Sequence, residues 1–447
     1  MKTVLIIAGS DPGAGAGLQQ DLKTATLLGA YGLTVVTALT VQNSLGVQAV
    51  HPVAPEVVAA QLDAALADFP VDAVKIGMLG SAAIVRAVAG RLKTAPPVPL
   101  VLDPVLAAGG DGFPLLDEEG VAALKEELFP LTFLLTPNAP EAARLTGLKI
   151  ETPDHLEDAA RRLQAQGPQW VLAKGGHLPG EPVDVLTDGK NSYRLPGTRL
   201  KAPHNHGSGC LVATACAAGL AQSLSLPEAV NQARRLAAQA LRWGLPLGRG
   251  KGPVNPYAPF ARDLSRYEAL KALSLAARRL QEEDISPLVP EVMTNLGYAA
   301  AYAEGPQDVA AFPGRLVKTP QGLVIPAPPA FGASRHIAAL ILAALEVRPE
   351  LRAAMNIRYF QGIEELAPLL HLQGVSMDGD WISKAGSPCR AAAWTSQAQD
   401  LPWDLLYDSG GFGREPMIYI LGVNPMAVAE KALALKNALH AAGKEII

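Results

Sequence analysis

Two glycine-rich turns stand in the sequence where helices are about to begin. The first, Gly9-Ser10-Asp11-Pro12-Gly13-Ala14-Gly15-Ala16-Gly17, follows an apolar run at 4–8 and leads into a helix from about Leu18. Glycines there permit left-handed backbone and close approach of a ligand to the main chain. The spacing is neither G-x-G-x-x-G nor a loop ending in Gly-Lys-Ser/Thr, so a tight turn holding no ligand explains it equally well. The second, His206-Gly207-Ser208-Gly209-Cys210, opens a helix over 211–222. Backbone N–H groups of Gly207, Ser208 and Gly209 at a helix start, aided by the macrodipole, make an anion site suited to phosphate. Cys210 stands at that positive end, where a thiolate is stabilised and can serve as a base. The plain alternative is a small buried residue, and Cys216, farther along the helix, reads as core.

Between these turns lie Asp103-Pro104, Thr136-Pro137-Asn138-Ala139-Pro140-Glu141 and Lys174-Gly175-Gly176-His177, each following a strand candidate. Open α/β sheets bind ligands at the carboxyl ends of their parallel strands, and one edge collects all three segments. Asp103 with Glu141 suits Mg²⁺ held through water, Lys174 suits phosphate oxygens, and Asn138 is placed with the ATP- and anion-binding groups. Taken singly, each is equally a helix cap or a surface charge.

The elements that must position these residues follow from periodicity. From 3 to about 244, short β-branched runs alternate with helical stretches, which predicts an α/β domain: a mostly parallel sheet with helices on its faces. Strands are expected at 4–8, 33–39, 73–76, 100–102, 133–135 and 170–173, with amphipathic crossover helices such as 55–69 and 118–128. Residues 183–200 read as a hairpin around Asp188-Gly189, and two helices close the unit near Trp243. Glycine and proline crowd 244–259, which reads as a linker. A helix at 267–283 then opens a smaller α/β or α+β domain with a strand at 322–325, a helix at 334–345, a strand at 417–421 and a helix at 426–442. No fixed-period repeat is visible, which excludes solenoids and propellers.

The 447 residues suit two domains, and 49% hydrophobic content supplies ample core. A net charge of −4 gives no pull toward polyanions, so small molecules rather than nucleic acid or membrane are the expected partners. Three scattered cysteines, Cys210, Cys216 and Cys389, form neither a disulfide framework nor a C-x-x-C metal pattern. With no secretory h-region and no bilayer-length apolar run, the expectation is a soluble, unprocessed, cytoplasmic chain.

Residues 1–255 resemble the hydroxymethylpyrimidine and hydroxymethylpyrimidine-phosphate kinase branch of the ribokinase-like superfamily. The motifs are IAGSDPGAGAGLQQDLKT, GAYG, TALTVQNSLGV, VKIGML, VLDPV, TPNAPEA, KGGH, HGSGC and GKGPVN. The resemblance implies a ribokinase-like sheet, ATP and Mg²⁺, and by analogy a homodimer. It maps pyrimidine contact onto Gln42, with Gly9, Asp21 and Met78 nearby, and an anion hole onto the turn before Cys210. Cys210 itself occupies the place of the aspartate base of other ribokinase-like enzymes. The departures are Gly13-Ala14 for Ser-Gly, Asn205 for Thr, and Ala107-Ala108-Gly109-Gly110 for a Ser/Thr-Gly flap. The implied reaction is transfer of the ATP γ-phosphoryl group to the hydroxymethyl oxygen and then to the phosphate so formed. A pyridoxal-type kinase, which shares the fold, is the nearest rival.

Residues 265–447 carry Pro290-Glu291-Val292, Asn295-Leu296-Gly297-Tyr298, Asp308-Val309-Ala310-Ala311-Phe312-Pro313-Gly314-Arg315, Phe331-Gly332-Ala333-Ser334-Arg335-His336, Met355-Asn356-Ile357-Arg358 and Gly411-Phe412-Gly413-Arg414-Glu415-Pro416-Met417. This block resembles the archaeal-type thiamine-phosphate synthase domain, in which a pyrimidine diphosphate loses pyrophosphate as a thiazole nitrogen attacks its methylene carbon. The resemblance makes Arg315 and His336 catalytic candidates and Arg335, Arg358, Asn295 and Asn356 substrate contacts, since guanidinium forks bind phosphate oxygens bidentately. Ser334 is expected to cap the following helix. On residue chemistry alone, Arg335-His336 is also an ordinary first helical turn, Arg315 a loop cation, and either asparagine a turn residue. The domains are therefore read as a kinase over 1–258 and a synthase over 265–447, together making thiamine phosphate. The alternative for the rear half is a non-catalytic ligand sensor, although no helix-turn-helix precedes it.

Overall fold

The computed structural model describes residues 1–108, 112–376, 404–411 and 415–441. Gly109 and Gly110 of the flap segment, Phe412-Gly413-Arg414 and Cys389 lie outside the described residues. The chain divides into two compact units, Met1–Pro259 and Phe260–Ile447.

The first unit is built on a nine-stranded sheet, with spatial order β3-β2-β1-β4-β5-β6-β7-β8-β9. Its strands are β1 (Lys2–Ser10), β2 (Ala30–Asn43), β3 (Gly46–Pro52), β4 (Ala73–Ile76), β5 (Leu100–Leu102), β6 (Leu134–Leu135), β7 (Trp170–Ala173), β8 (Val183–Thr187) and β9 (Ser192–Pro196). β2, β1, β4, β5, β6 and β7 run parallel, each with its neighbour, while β3, β8 and β9 add antiparallel edges. β1 is buried from Thr3 to Gly9, as a central parallel strand covered on both faces must be. The expected hairpin at 183–200 forms as β8 and β9; Asp188 Oδ1 accepts from the Lys190 and Asn191 amides and pins its turn. The expected helix over 118–128 changes register, α-helical at Glu118–Ala123 and a π turn at Leu124–Leu128.

Two expectations are corrected. β3 was not expected: its residues are half-buried or exposed, so no alternation marks it in the sequence. The stretch 244–259 is no free linker. The Leu245 N–H donates to Pro253 O, Lys251 N–H to Ser44 O and Asn255 N–H to Ala240 O, which holds it against the first unit. The next helix begins at Ala258 rather than Tyr267 and runs to Glu282.

The second unit resolves the α/β or α+β alternative toward a mostly antiparallel sheet. Its seven strands lie in the order β14-β11-β10-β15-β18-β17-β16, comprising β10 (Leu296–Ala299), β11 (Val309–Ala311), β14 (Ala330–Phe331), β15 (Ala353–Arg358), β16 (Gly374–Ser376), β17 (Leu405–Asp408) and β18 (Met417–Gly422). Only β16–β17 is parallel. A separate ribbon pairs β12 (Val317–Thr319) with β13 (Gly322–Val324). The two-residue period sorts the faces. Ala353, Met355, Ile357, Ile418 and Ile420 join the core containing the helices Ala258–Glu282 and Pro425–Ala441. Ala354, Met417, Tyr419 and Leu421 pack with the helix Arg335–Val347.

Candidate functional site

A cavity of about 1500 Å³ opens at the carboxyl ends of the parallel strands in the first unit. Its wall contains Gly9, Gln42, Met78, Asp103, Asn138, Glu141, Lys174, Gly207, Ser208, Gly209 and Cys210, segments far apart in sequence that the sheet edge brings together.

One end is built for anions. The helix Ser208–Ala221 starts from Gly207, whose backbone is left-handed (φ +83°), and its first turn lines the cavity; the Ser208 N–H donates to Asn205 O at 3.3 Å. A Cβ added to Gly209 would stand 3.4 Å from Lys174 Nζ and 3.5 Å from Asp103 Oδ2, so this turn adjoins the cation and carboxylate directly. Lys174 Nζ donates to Asp103 Oδ1 at 3.0 Å, and the Thr136 hydroxyl donates to the same oxygen at 3.0 Å. Burial alone would lower the Lys174 ammonium, but Asp103 and Glu141 outweigh it and keep the group charged. Burial, then the Asp103 charge, pushes Glu141 up to about 7. Asn138 and Glu141 also form a reciprocal capping box, Glu141 N–H to Asn138 Oδ1 at 2.9 Å and Asn138 N–H to Glu141 Oε2 at 2.8 Å, so the cap reading of both residues holds beside their place in the wall. Among the described residues no three His, Cys, Asp or Glu side chains gather as a metal cage. The mutually repelling pair Asp103 and Glu141 is a donor set suited to a hard divalent cation that takes its other ligands from phosphate.

Beside this cluster two expectations are overturned. Asp21 is fully buried behind the wall, where Lys75 Nζ donates to Oδ2 at 2.6 Å and Thr214 Oγ1 to Oδ1 at 2.6 Å; both oxygens are committed to the interior. Lys75, which sequence reasoning passed over, does line the cavity, and its position in the apolar run of β4 was the signal available. Burial alone would lower its ammonium; the charges of Asp21, Cys210 and Asp103 reverse the shift. The Cys210 thiol, in turn, is pushed up to about 12 by burial, against the pull of Lys75. Burial of this half-exposed thiol thus works against the thiolate expected at a helix start. Gly9 and Met78 lie side by side in the cavity wall, with Met78 Sδ 3.0 Å from where a Gly9 Cβ would stand.

The first glycine loop spends its amides on its own aspartate. Gly13 N–H donates to Asp11 Oδ1 at 2.8 Å, and the Gly15 and Ala16 N–H groups to Oδ2 at 3.1 and 2.9 Å. His206 Nε2 completes this cradle at 3.0 Å from Asp11 Oδ2 and also lies 3.0 Å from Gln42 Nε2. Asp11 and His206 line the cavity, a pairing across 195 positions that no local pattern marks.

In the second unit, Ser334 caps its helix, accepting from Ile337 N–H. His336, in the first turn, lies 2.9 Å from the Tyr419 hydroxyl. Packing of protein around the ring, then the Arg315 charge, lowers the His336 pKa, while Asp408 opposes, which puts Arg315, His336 and Asp408 in one electrostatic neighbourhood. Arg315 takes a left-handed backbone (φ +67°) and donates from Nη1 to Val292 O. Arg335 is exposed on the same turn as His336, and Arg358 shares the face of Asn356, two positions away on β15. Asn295 and Asn356 are corrected from contacts to supports. The Asn295 side chain exchanges hydrogen bonds with Phe312 N–H and O at 3.0 Å each, and Asn356 accepts from Asn295 N–H at 2.8 Å and donates to Met293 O at 3.0 Å. Tyr419 and buried Asp408 are additions that the sequence reading missed.

Comparison with known proteins agrees with the two units. Residues 11–255 match the family described as phosphomethylpyrimidine kinase, and residues 272–434 match thiamine-phosphate synthase ThiN. The thiamine biosynthesis bifunctional protein ThiED of Geobacter sulfurreducens is 51% identical over 57% of this chain; the match spans about half of that relative, 52% of its length. The hydroxymethylpyrimidine/phosphomethylpyrimidine kinase of Haemophilus influenzae is 42% identical over 58% of this chain and 97% of its own. Among solved structures, pyridoxal kinase from Staphylococcus aureus in complex with ADP superposes with a TM-score of 0.54 at 35% identity, over 57% of this chain and 93% of that one. The chain thus belongs to the phosphomethylpyrimidine kinase family, with a segment matching thiamine-phosphate synthase ThiN behind the kinase unit.

Proposed function

We propose that the chain is a bifunctional thiamine-biosynthesis enzyme. Its first unit phosphorylates hydroxymethylpyrimidine and its monophosphate from ATP, and its second unit condenses the resulting diphosphate with thiazole phosphate, releasing pyrophosphate. The observation that carries the kinase reading is the Lys174–Asp103 pair at 3.0 Å, set against the glycine turn at the mouth of one large cavity.

Phosphoryl transfer asks a protein mainly for alignment and charge neutralisation. Lys174 and the amides of Gly207 to Cys210 suit the oxygens of the transferring group. Asp103 and Glu141 would hold Mg²⁺, which supplies neutralisation of the ATP phosphates. A thiol raised to about 12 is no ready base, so Cys210 orients the hydroxymethyl oxygen in this reading, and the hydroxyl proton passes late, after most of the O–P bond has formed, to an oxygen of the transferred phosphoryl group, as a loose transition state permits. Lys75, beside Cys210, keeps positive charge near that oxygen. In the second unit Arg315, Arg335 and Arg358 suit the departing pyrophosphate, and His336 and Tyr419 offer proton-bearing groups next to it. A cytoplasmic setting and a homodimer belong to the same reading; among the described residues no helix is long and apolar enough to cross a membrane.

The likeness to pyridoxal kinases supports a second reading of the first unit, as a pyridoxal kinase. Kinetics with Mg-ATP and each acceptor separates the two: kcat/KM is expected to be at least about tenfold higher for hydroxymethylpyrimidine, the worth of about one well-made hydrogen bond. A preference for pyridoxal overturns the pyrimidine reading.

A further inference from the structure

The contact between His206 and Gln42 cannot be satisfied as two nitrogens facing each other. Asp11 Oδ2 already accepts from the Gly15 and Ala16 amides, and Asp11 is only 3% exposed. Burial alone would raise its carboxyl, but the hydrogen bonds from His206, Ala16 and Gly13 outweigh that and hold it below its ordinary value. Three backbone N–H groups already donate to its two oxygens, the surroundings of a carboxylate, so Asp11 is an anion that accepts and never donates. The hydrogen in its 3.0 Å contact with His206 must sit on Nε2, because a bare Nε2 lone pair would face a carboxylate. An Nε2 that carries its hydrogen has no lone pair for Gln42, 3.0 Å away. A half-turn of the Gln42 amide settles the conflict: Oε1 shares the Nε2 hydrogen with Asp11, and the NH₂ group turns to the cavity.

The surroundings hold this arrangement in place. His206 N–H donates to Gly252 O at 3.2 Å and His206 O accepts from Val254 N–H at 3.1 Å, which ties the His206 backbone to the 244–259 stretch. A Cβ on Gly15 would stand 2.3 Å from His206 Cδ2, so the first glycine loop lies hard against the ring. The first glycine loop and β2 thus meet at the imidazole nitrogen, while the 244–259 stretch holds the His206 backbone.

We infer that Asp11 and His206 are positioning residues that set the orientation of the Gln42 amide, making Gln42 a donor toward the substrate and selecting a heterocycle whose edge offers an unprotonated ring nitrogen. The inference rests on the kinase reading of this cavity and deepens it by naming what fixes acceptor choice.

The test is a double-mutant cycle on the full chain, with hydroxymethylpyrimidine as acceptor. His206→Phe keeps the ring shape and removes the donor; it is expected to raise the acceptor KM about tenfold, the value of a lost hydrogen bond. kcat and the KM for ATP are expected to stay within about threefold, since the phosphate end is untouched. His206→Gln, which restores N–H donors toward Asp11 and Gln42, brings the acceptor KM back toward wild type. In a Gln42→Leu background, His206→Phe adds nothing further. Fully additive KM effects, or an unchanged KM in His206→Phe, overturn the inference. Calorimetric titration of the same proteins with the pyrimidine, without ATP, follows the same pattern in Kd and decides the matter independently of turnover. Wild-type chain that neither binds nor phosphorylates the pyrimidine instead overturns the kinase reading, and this inference with it.

Discussion

Asp11 carries a pH signature of its own. Its folded pKa lies below its ordinary value of 3.8, because hydrogen bonds from His206, Ala16 and Gly13 outweigh the cost of burial. A carboxyl depressed by folding contributes stability that is fully present above the unfolded pKa and lost as pH falls through the folded one. Asp11→Asn is therefore expected to destabilise the first unit near neutral pH by about 1–3 kcal/mol, the range for hydrogen bonds to a charged group. The gap from wild type should close as pH drops below 3.8, which thermal melts between pH 3 and 7 measure. A gap independent of pH contradicts the account. Residue types at this scale were partly legible. Lys174, Asp103 and the Gly207–Cys210 turn announced themselves by chemistry, whereas the partner that removes Asp21 from the cavity, Lys75, stands 54 positions away. Asn295 and Asn356 were ambiguous for the same reason: only pairing across 61 positions shows their polar atoms already spent.

At the scale of elements, the helix Ser208–Ala221 depends on how its first turn meets the loop after β1. A Cβ on Gly207 would stand 1.7 Å from Gly15 O, and φ is +83° there. Backbone cannot yield as a flexible side chain would. Gly207→Ala is expected to destabilise the first unit by more than about 1 kcal/mol and to lower kinase kcat/KM, read from melting curves and initial rates. Wild-type melting in that variant contradicts the interlock. The parallel strands were readable because burial on both faces leaves short β-branched runs such as β4 and β7. β3 was not, since it is a mostly open edge strand. In the second unit, β10 and β15 were missed because Gly297, Asn356 and Arg358 interrupt otherwise apolar runs; cross-strand partners, rather than the local pattern, make them strands.

At the scale of the whole chain, the two units each hold cationic side chains, Lys75 and Lys174 in the first and Arg315, Arg335 and Arg358 in the second, and the proposed function gives each unit its own chemical step. Their existence was legible from the change of motif and composition between the halves. The expected end of the first domain at 258 falls within one residue of the division after Pro259; what was not legible is that the glycine- and proline-rich 244–259 stretch is hydrogen-bonded to the first unit rather than a linker. The most direct measurement is a ³¹P NMR time course of purified chain with hydroxymethylpyrimidine, thiazole phosphate and Mg-ATP. The account predicts transient pyrimidine mono- and diphosphate, then thiamine phosphate and pyrophosphate. With Arg315→Ala/His336→Ala, the diphosphate should form at the wild-type rate and thiamine phosphate formation should fall by about 10² or more, as for loss of transition-state donors. Diphosphate that accumulates in the wild-type reaction without thiamine phosphate, or a double variant that makes thiamine phosphate at the wild-type rate, would contradict it.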